Sequence, residues 1–314
     1  MKTKLLLFIS ITLIIAAIVT IVILSVSLNK ANRQKKGAEL TRDQIASKLT
    51  SMLTAKKIGA IDEKEIFYRR DFASHADGKL DSYLLVPPMT PAKDNLYTLI
   101  VYLHGMGSNY LEPYVVANKE PIGPAIKAKY PDSVLISLNY RQKNAWGNDK
   151  ALADISQNIL EVSQAYPINK IILIGTSMGG CVALNYAAVA PEQIKKKITG
   201  VVSVEGSGDL RELYRITKIP VIKLGIADAM GGPPETSPKS YDHASLLANI
   251  EQLPKGIKFS IVSAKSDTTV PPALQKKVFE ELQKHGNECQ IVDIDLGHEF
   301  PTPETYIKSL EFVF

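Results

Sequence analysis

From about residue 61 onward, short apolar runs alternate with longer amphipathic stretches. Runs of about four to eight residues that are rich in Ile and Val are typical of buried strands. The runs are EIFYR, SYLLVP, YTLIVYLHG, SVLISLNY, KIILIG, TGVVSVEG, IKFSIVSA and CQIVDIDLG. Strands that alternate with helices form a mainly parallel sheet with helices on both faces, so the pattern predicts an α/β fold.

The stretches between the later strands differ in character. Residues 149–166 carry apolar side chains at near-helical spacing, and residues 271–286 start with proline and stop with glycine, which indicates a helix in each. The segment 206–256 has a centre, MGGPPETSPKS, that is dense in Gly, Pro and Ser. We expect an irregular insertion or lid there, between two strands.

The amino-terminal 60 residues do not follow this pattern. Residues 5–28 contain no charge, and a helix of that length can cross a hydrocarbon core of about 30 Å. This segment is expected to be a single-pass transmembrane anchor in the lipid bilayer, with a cleaved signal peptide as the alternative. A charged juxtamembrane linker, 29–60, would join it to the folded domain, 61–314. Basic residues flank both ends of the anchor, so its sidedness stays open, although we favour an extracytoplasmic domain.

Charge excludes one class of partner. The chain carries a formal charge of +5, but seven of its 37 basic residues and one of its 32 acidic residues lie in the first 42 positions. The remainder is close to neutral, whereas a nucleic-acid-binding domain would carry a basic surplus on its folded part. No nucleic-acid partner is expected. Cys181 and Cys289 lie in apolar surroundings and are interpreted as buried thiols.

The sequence GTSMG, residues 175–179, stands between a predicted strand and a predicted helix. In that context the pattern GxSxG indicates a strained turn that exposes a nucleophilic serine, here Ser177. The turn would also bring the N–H of Met178 and the positive helix end toward a developing oxyanion. An ordinary glycine turn is the alternative, so the interpretation depends on companion residues.

A serine nucleophile needs a base, and the chain has five histidines. His298 follows the last predicted strand and is the candidate base, since it lies downstream of Ser177. His75 precedes the core strands, His285 lies near a helix end, and His243 falls in the predicted lid.

The histidine follows the last predicted strand. The carboxylate that orients this base should follow the strand before it, the next-to-last one. Asp267 lies just past that apolar run, directly before the next helix, and is the candidate acid. Glu205, at another strand end, is the alternative acid. Asp293 and Asp295 fall in the last strand, where we expect them to face outward or meet a cation.

Oxyanion stabilisation usually takes two N–H donors. The glycine-rich stretch LHGMGSN follows an earlier strand and is comparable to the loops that supply the second donor, so we choose the N–H of Met106 beside that of Met178. The side chain of His104 is expected to be structural. Tyr140 and Trp146, in the stretch 139–149, either line the site or belong to a packed surface loop. Motifs for a metal site or a phosphate-binding loop are absent from the sequence.

Together, LHGMG, GTSMGG, SDTTVPP and LGHEF resemble the α/β-hydrolase superfamily over nearly all of the chain after about residue 61. GTSMGG and the segment PPETSPKSYDHAS look like its prolyl-oligopeptidase-like and esterase-like or depolymerase-like branch. The resemblance implies an α/β-hydrolase fold, a triad of Ser177, Asp267 and His298, an oxyanion hole at Met106 and Met178, and no cofactor. No long region precedes the domain that could form a propeller, which tempers the peptidase assignment.

The expected function is that of a membrane-anchored serine hydrolase that forms an acyl-enzyme on Ser177 and cleaves a small-molecule ester. A serine peptidase is the second reading. An acyltransferase would use the same acyl-enzyme, and a catalytically silent, membrane-anchored binding module is a fourth alternative.

Overall fold

The computed structural model describes residues 67–116, 119–141 and 143–314. The predicted anchor, 5–28, and linker, 29–60, lie outside these residues. Among the residues that the structure describes, no helix has the length and apolar character needed to span a membrane.

The described chain forms an eight-stranded sheet in the order β1-β2-β4-β3-β5-β6-β7-β8. The pairs β1–β2 and β2–β4 are antiparallel, and the other neighbours are parallel. The predicted, mainly parallel sheet is therefore confirmed. The strands are β1 Tyr68–Ala73, β2 Leu80–Val86, β3 Tyr97–Leu103, β4 Val134–Leu138, β5 Ile168–Thr176, β6 Ile198–Val204, β7 Lys258–Ala264 and β8 Cys289–Ile294.

Helices connect the parallel strands. Those of the described residues are α1 Ile122–Lys129, α2 Asp149–Ala165, α3 Met178–Val189, α4 Glu192–Lys195, α5 Leu210–Ile216, α6 Pro220–Met230, α7 Pro238–His243, α8 Leu246–Asn249, α9 Pro272–His285 and α10 Pro303–Val313. The helix predicted over 271–286 is α9, where Pro271 is the N-cap and Gly286 ends the helix in a left-handed conformation with φ 94°.

Apolar side chains on both faces of the sheet are buried. Leu173 of β5 packs into the main core together with residues of α3, while Ile172 and Ile174, which point to the opposite face, are equally inaccessible to solvent. Covering both faces explains why the central strands read as continuous apolar runs and not as alternating ones. The carboxyl ends of β3, β5, β6, β7 and β8 consequently lie along one edge of a rigid sheet.

The segment 206–256 is more regular than its composition predicts. It contains α5, α6, α7 and α8. Its prolines do not break these helices, because Pro220 and Pro238 occupy first-turn positions, where proline is tolerated. The expectation of an irregular insertion was wrong in this respect; a role of the segment as a lid stays a prediction.

Gly179, in the first turn of α3, allows this helix to pack against the end of β3. A Cβ added at Gly179 would lie 2.0 Å from the carbonyl oxygen of Leu103, and a contact that short forces the backbone to move. We expect Gly179→Ala to lower the free energy of unfolding by about 3 kcal/mol or more, measured by urea denaturation.

Gly256→Ala is the matched control. A Cβ at Gly256 meets no atom within 4 Å. Its free energy of unfolding should stay within about 0.5 kcal/mol of that of the wild type. Equal stabilities of the two variants would contradict the packing argument.

Candidate active site

Ser177 stands in a sharp turn between β5 and α3. Its backbone has φ 55° and ψ −115°, an unusual conformation for a residue other than glycine. The Ser177 N–H donates to the carbonyl oxygen of Val204 at 2.7 Å, and a Cβ at Gly175 would lie 2.0 Å from the carbonyl oxygen of Gly179. The two glycines are thus required by close backbone contact, and the turn lifts the serine hydroxyl above the edge of the sheet.

The structure brings Ser177, His298 and Asp267 into one hydrogen-bonded chain. His298 Nε2 lies 2.8 Å from Ser177 Oγ, and His298 Nδ1 lies 2.8 Å from Asp267 Oδ2. A histidine that donates its Nδ1–H to the aspartate leaves Nε2 as an acceptor for the serine proton. The arrangement can therefore remove the proton from Ser177 and stabilise the imidazolium that results.

Asp267 is buried but well supplied with donors. Its Oδ1 accepts the backbone N–H groups of Thr269 and Val270, each at 2.8 Å, and Gln275 Nε2 donates to Oδ2 at 3.3 Å. Hydrogen bonds of this kind favour the ionised form of a carboxyl group. They also fix the carboxylate in the orientation that faces His298.

Glu205, the alternative acid, lies beside the same ring nitrogen of His298 as Asp267. Its Oε2 is 3.2 Å from His298 Nδ1, and its side chain is buried. Burial and then the Asp267 carboxylate raise the pKa of Glu205 to about 9. From the sequence, the two acids are alternative candidates for one role, whereas the structure places both beside one nitrogen atom.

Glu205, Asp267 and His298 also form a group of ligand-type side chains, found among the described residues. One ligand atom of each lies within 4.8 Å of the others. These are the atoms that already face one another in the histidine contacts, so we assign no ion to them.

The loop after β3 lies against the serine. A Cβ at Gly105 would be 3.7 Å from the Cβ of Ser177, and the N–H of Gly107 donates to the carbonyl oxygen of Lys143 at 2.8 Å. Among the described residues, the N–H groups of Met106 and Met178 donate to no backbone carbonyl oxygen in a turn, loop or helix cap. Both are therefore available as donors, as an oxyanion hole requires.

Glu112, which the sequence analysis did not single out, holds this loop in place. Its two carboxyl oxygens accept the Gly105 N–H at 3.0 and 3.1 Å, and Tyr102 Oη donates to Oε1 at 2.8 Å. Tyr102 continues through Thr176 Oγ1, at 3.1 Å, to Tyr306 Oη, at a further 2.9 Å. A lone acid in a loop has no sequence signal for such a role, because its partners come from other elements.

A cavity of about 400 Å³ opens at the serine. Its wall combines the polar groups of Ser177 and His298 with apolar side chains. The apolar residues are Met106, Val115, Val116 and Phe300. Lys119 and Glu299 form an ion pair at 3.1 Å on the exposed side of this region.

Tyr140 and Trp146 are not among the residues that line this cavity, and they do not belong to a surface loop either. Both side chains are fully buried. Tyr140 Oη donates to the carbonyl oxygen of His104 at 2.5 Å, and Trp146 Nε1 donates to Asn144 Oδ1 at 2.9 Å. Their assignment as lining residues is corrected accordingly, because these contacts make them part of the core behind the loop after β3, residues 104–109, which we call the oxyanion loop.

The remaining histidines and acids lie as expected. His104 is buried, with its ring nitrogens 2.8 Å from the carbonyl oxygen of Gly105 and 3.1 Å from that of Asn139, which is a structural environment. His243 is half exposed, 3.3 Å from Asp149. Asp293 and Asp295 face solvent, and Asp295 pairs with Lys265.

The chain is similar to known proteins in sequence and in fold. Residues 141–314 match the model of the prolyl oligopeptidase family. No curated protein matches the sequence. Among solved structures, acylaminoacyl peptidase from Pyrococcus horikoshii is similar with a TM-score of 0.62 and 16% identity, over 82% of this chain and 41% of the peptidase. The chain thus spans about two fifths of that protein.

Two further structures are matched over almost their whole length. The fluorophosphonate-binding serine hydrolase F of Staphylococcus aureus is similar with a TM-score of 0.61 and 14% identity, over 79% of this chain and 98% of that one. A ferulic acid esterase has a TM-score of 0.54 and 14% identity, over 78% and 94%. The fold shared with these proteins is the α/β-hydrolase fold, as the sequence resemblance implied.

Glu112 makes stability depend on pH. Burial raises the pKa of its carboxyl group from 4.5 to about 7. Between these values the folded chain keeps a proton that the unfolded chain has lost, so raising the pH lowers the free energy of unfolding by up to about 1.4 kcal/mol per pH unit. We expect Glu112→Gln to remove the contribution of Glu112 between about pH 4.5 and 7 and to leave that of Glu205, whose pKa is raised to about 9, measured by urea denaturation from pH 4.5 to 8.

Glu251→Gln, at an exposed carboxyl group, is the matched control and should follow the wild type. If the wild type and Glu112→Gln had identical pH dependence, the pKa of Glu112 would be the same in the folded and the unfolded chain. That result would contradict the prediction.

Proposed function

This chain belongs to the prolyl oligopeptidase family of serine hydrolases, and we propose that it hydrolyses small carboxylic esters through an acyl-enzyme on Ser177. The observation that carries the proposal is the hydrogen-bonded chain from Ser177 Oγ through His298 to Asp267, with 2.8 Å at each step. A serine hydroxyl is a weak nucleophile until a base of this kind takes its proton.

The proposed reaction has two halves. Ser177 Oγ attacks the ester carbonyl carbon while its proton passes to His298 Nε2, and Asp267 stabilises the imidazolium. The N–H groups of Met106 and Met178 donate hydrogen bonds to the oxyanion. His298 then protonates the departing alcohol. A water molecule next attacks the acyl carbon while its proton passes to His298, and His298 returns that proton to Ser177 Oγ as the bond between Oγ and the acyl carbon breaks and the acid departs.

The shape of the cavity supports a small acyl group. About 400 Å³ beside Ser177 is enough for a compact substrate, and Val115, Val116 and Phe300 offer it an apolar wall. The contacts of Glu112 with the Gly105 N–H pre-organise the oxyanion loop, so little reorganisation is needed when charge develops.

A peptidase is the second candidate, favoured by the family match. An amide has a poorer leaving group than an ester, but the same residues would serve it. A panel of short-chain p-nitrophenyl esters and aminoacyl p-nitroanilides separates the two: we expect faster turnover of the esters, and preferred cleavage of the anilides would establish the peptidase. An added alcohol acceptor would reveal acyl transfer by its ester product.

We also propose that the chain is held at a membrane by residues 5–28, because this uncharged segment is long enough to span a bilayer. The full chain should remain with membranes after washing at high salt and alkaline pH, whereas a chain that begins at residue 45 should be released. Release of the full chain by the wash would contradict the anchor, and amino-terminal sequencing would reveal a cleaved segment.

Ser177→Ala should abolish labelling by a fluorophosphonate probe, because the probe bonds to the activated serine oxygen. We expect rapid labelling of the wild type and none of the variant, read by in-gel fluorescence. Hydrolysis of the best ester should fall by about 10⁴-fold or more.

Ser266→Ala is the matched control, since this serine near the site is exposed. It should label at the wild-type rate. An unlabelled wild type, or equal labelling of wild type and Ser177→Ala, would refute the proposed nucleophile and would favour the silent binding module.

A further inference from the structure

Two carboxyl groups face the same atom of His298. Asp267 Oδ2 lies 2.8 Å from Nδ1, and Glu205 Oε2 lies 3.2 Å from it. Both carboxyl groups are almost completely buried. Only one acid is needed to orient a catalytic histidine, so the second requires an explanation.

The backbone fixes Glu205 in this position. The residue directly follows β6 and has φ 54°, in the left-handed region that residues other than glycine seldom adopt. Its N–H donates to the carbonyl oxygen of Val262 in β7, while the preceding carbonyl oxygen, that of Val204, accepts the N–H of Ser177. Glu205 is thus tied by its backbone to both the nucleophile turn and the strand that leads to Asp267. Unusual backbone conformations held in this way concentrate at functional sites.

The two acids differ in their donors. Asp267 receives two backbone N–H groups and the amide of Gln275, whereas Glu205 Oε1 has no hydrogen-bond partner among the described residues. Two carboxyl groups this close share one proton more readily than they carry two charges. Glu205, which has fewer donors and whose pKa is raised, keeps the proton.

The charged groups around Glu205 support this division. Burial has the largest effect in raising its pKa to about 9, followed by the charge of Asp267; Glu299 raises it further, while the Glu299 N–H and Lys119 lower it. His298 faces it at 3.2 Å, and Tyr306 of α10 is close enough for its own pKa to be raised by Glu205.

We propose that Glu205 is a second acid of this site, a positioning residue that holds His298 jointly with Asp267 and takes over its orientation when the Asp267 carboxylate is removed. The inference rests on the proposed function, because it assigns a role beside the same histidine. Removing the Asp267 charge removes the second-largest cause of the raised pKa, so Glu205 then ionises at lower pH and accepts the Nδ1–H itself.

The choice of substitution matters. In Asp267→Asn, the amide oxygen would stay with the N–H groups of Thr269 and Val270, and the amide NH₂ would face His298 Nδ1. This would force the proton onto Nε2, the wrong tautomer, with a loss of about 10⁴-fold. Asp267→Ala places no donor against Nδ1 and leaves that position to Glu205.

The test compares fluorophosphonate labelling rates of the wild type, Asp267→Ala, Glu205→Gln, the double variant and Asp267→Asn from pH 6 to 10. Asp267→Ala should retain more activity than Asp267→Asn, and its rate should increase with pH as Glu205 loses its proton. Adding Glu205→Gln should lower the rate of Asp267→Ala on the order of tenfold or more and remove that increase, while costing the wild type only about threefold.

Asp295→Asn in the Asp267→Ala background is the matched control, since it removes an exposed carboxylate of the same loop region that pairs with Lys265. Its effect should be small. Equal losses from Glu205→Gln in both backgrounds, or an Asp267→Ala variant as inactive as the double variant, would overturn the role of Glu205.

A second measurement needs neither turnover nor a fully active variant. The Nδ1 proton of His298 gives a downfield resonance in NMR spectra, and in the wild type it should shift near pH 9, when Glu205 beside it becomes charged. Glu205→Gln retains Asp267 and should lose this shift. The same pH dependence in both proteins would overturn the proposal, and failure of the proposed function alone would appear instead as an unlabelled wild type with the shift intact.

Discussion

Three backbone segments meet at the nucleophile turn more closely than side chains would permit, and the rest of the site is arranged around that contact. A Cβ at Gly175 would lie 2.0 Å from the carbonyl oxygen of Gly179, and a Cβ at Gly179 would lie 2.0 Å from that of Leu103. The start of α3 is therefore packed between the ends of β3 and β5, and Ser177 is held at φ 55° by its neighbours. Because β6 accepts the Ser177 N–H, the same sheet edge that constrains the serine also carries the acids and the histidine loop. Rigidity of this kind is what pre-organised catalysis requires.

The charge of the site depends on burial together with hydrogen-bond donors, and not on residue type alone. Asp267, Glu205 and Glu112 are all buried carboxyl groups within the same small region. Asp267 accepts two backbone N–H groups, whereas burial raises the pKa of Glu205 to about 9 and that of Glu112 to about 7. One acid thus orients the histidine, one supports it, and one holds the oxyanion loop. Each role follows from which groups surround the carboxyl oxygens.

Two parts of the chain that are distant in sequence pack against the loop after β3. The oxyanion loop rests on buried Tyr140, whose hydroxyl group contacts the carbonyl oxygen of His104. Helix α6 of the segment 206–256 also packs against it, since a Cβ at Gly225 would come within 2.8 Å of Met106 Sδ and 3.4 Å of Trp146 Nε1. A change in α6 would therefore reach the oxyanion loop directly. This packing connects the segment predicted as a lid with the residue proposed to stabilise the transition state.

Local sequence pattern was sufficient for the mainly parallel sheet, since the apolar runs predict its strands, and Ser177 of GTSMG, Asp267 and His298 follow β5, β7 and β8 in that order. Pattern reports which face a residue occupies and where an element stops. It does not report contacts between elements. Trp146 is buried in the core, and Glu112 accepts a hydrogen bond from a backbone N–H seven residues away. Glu205 lies beside His298 together with Asp267. The proline-rich segment 206–256 folds into helices for a related reason, because tertiary packing overrides a composition that by itself favours loops. The sequence therefore determined the sheet and the candidate nucleophile, base and acid, while only the tertiary structure decided which buried groups carry charge, because solvation and donors come from residues far apart in the chain.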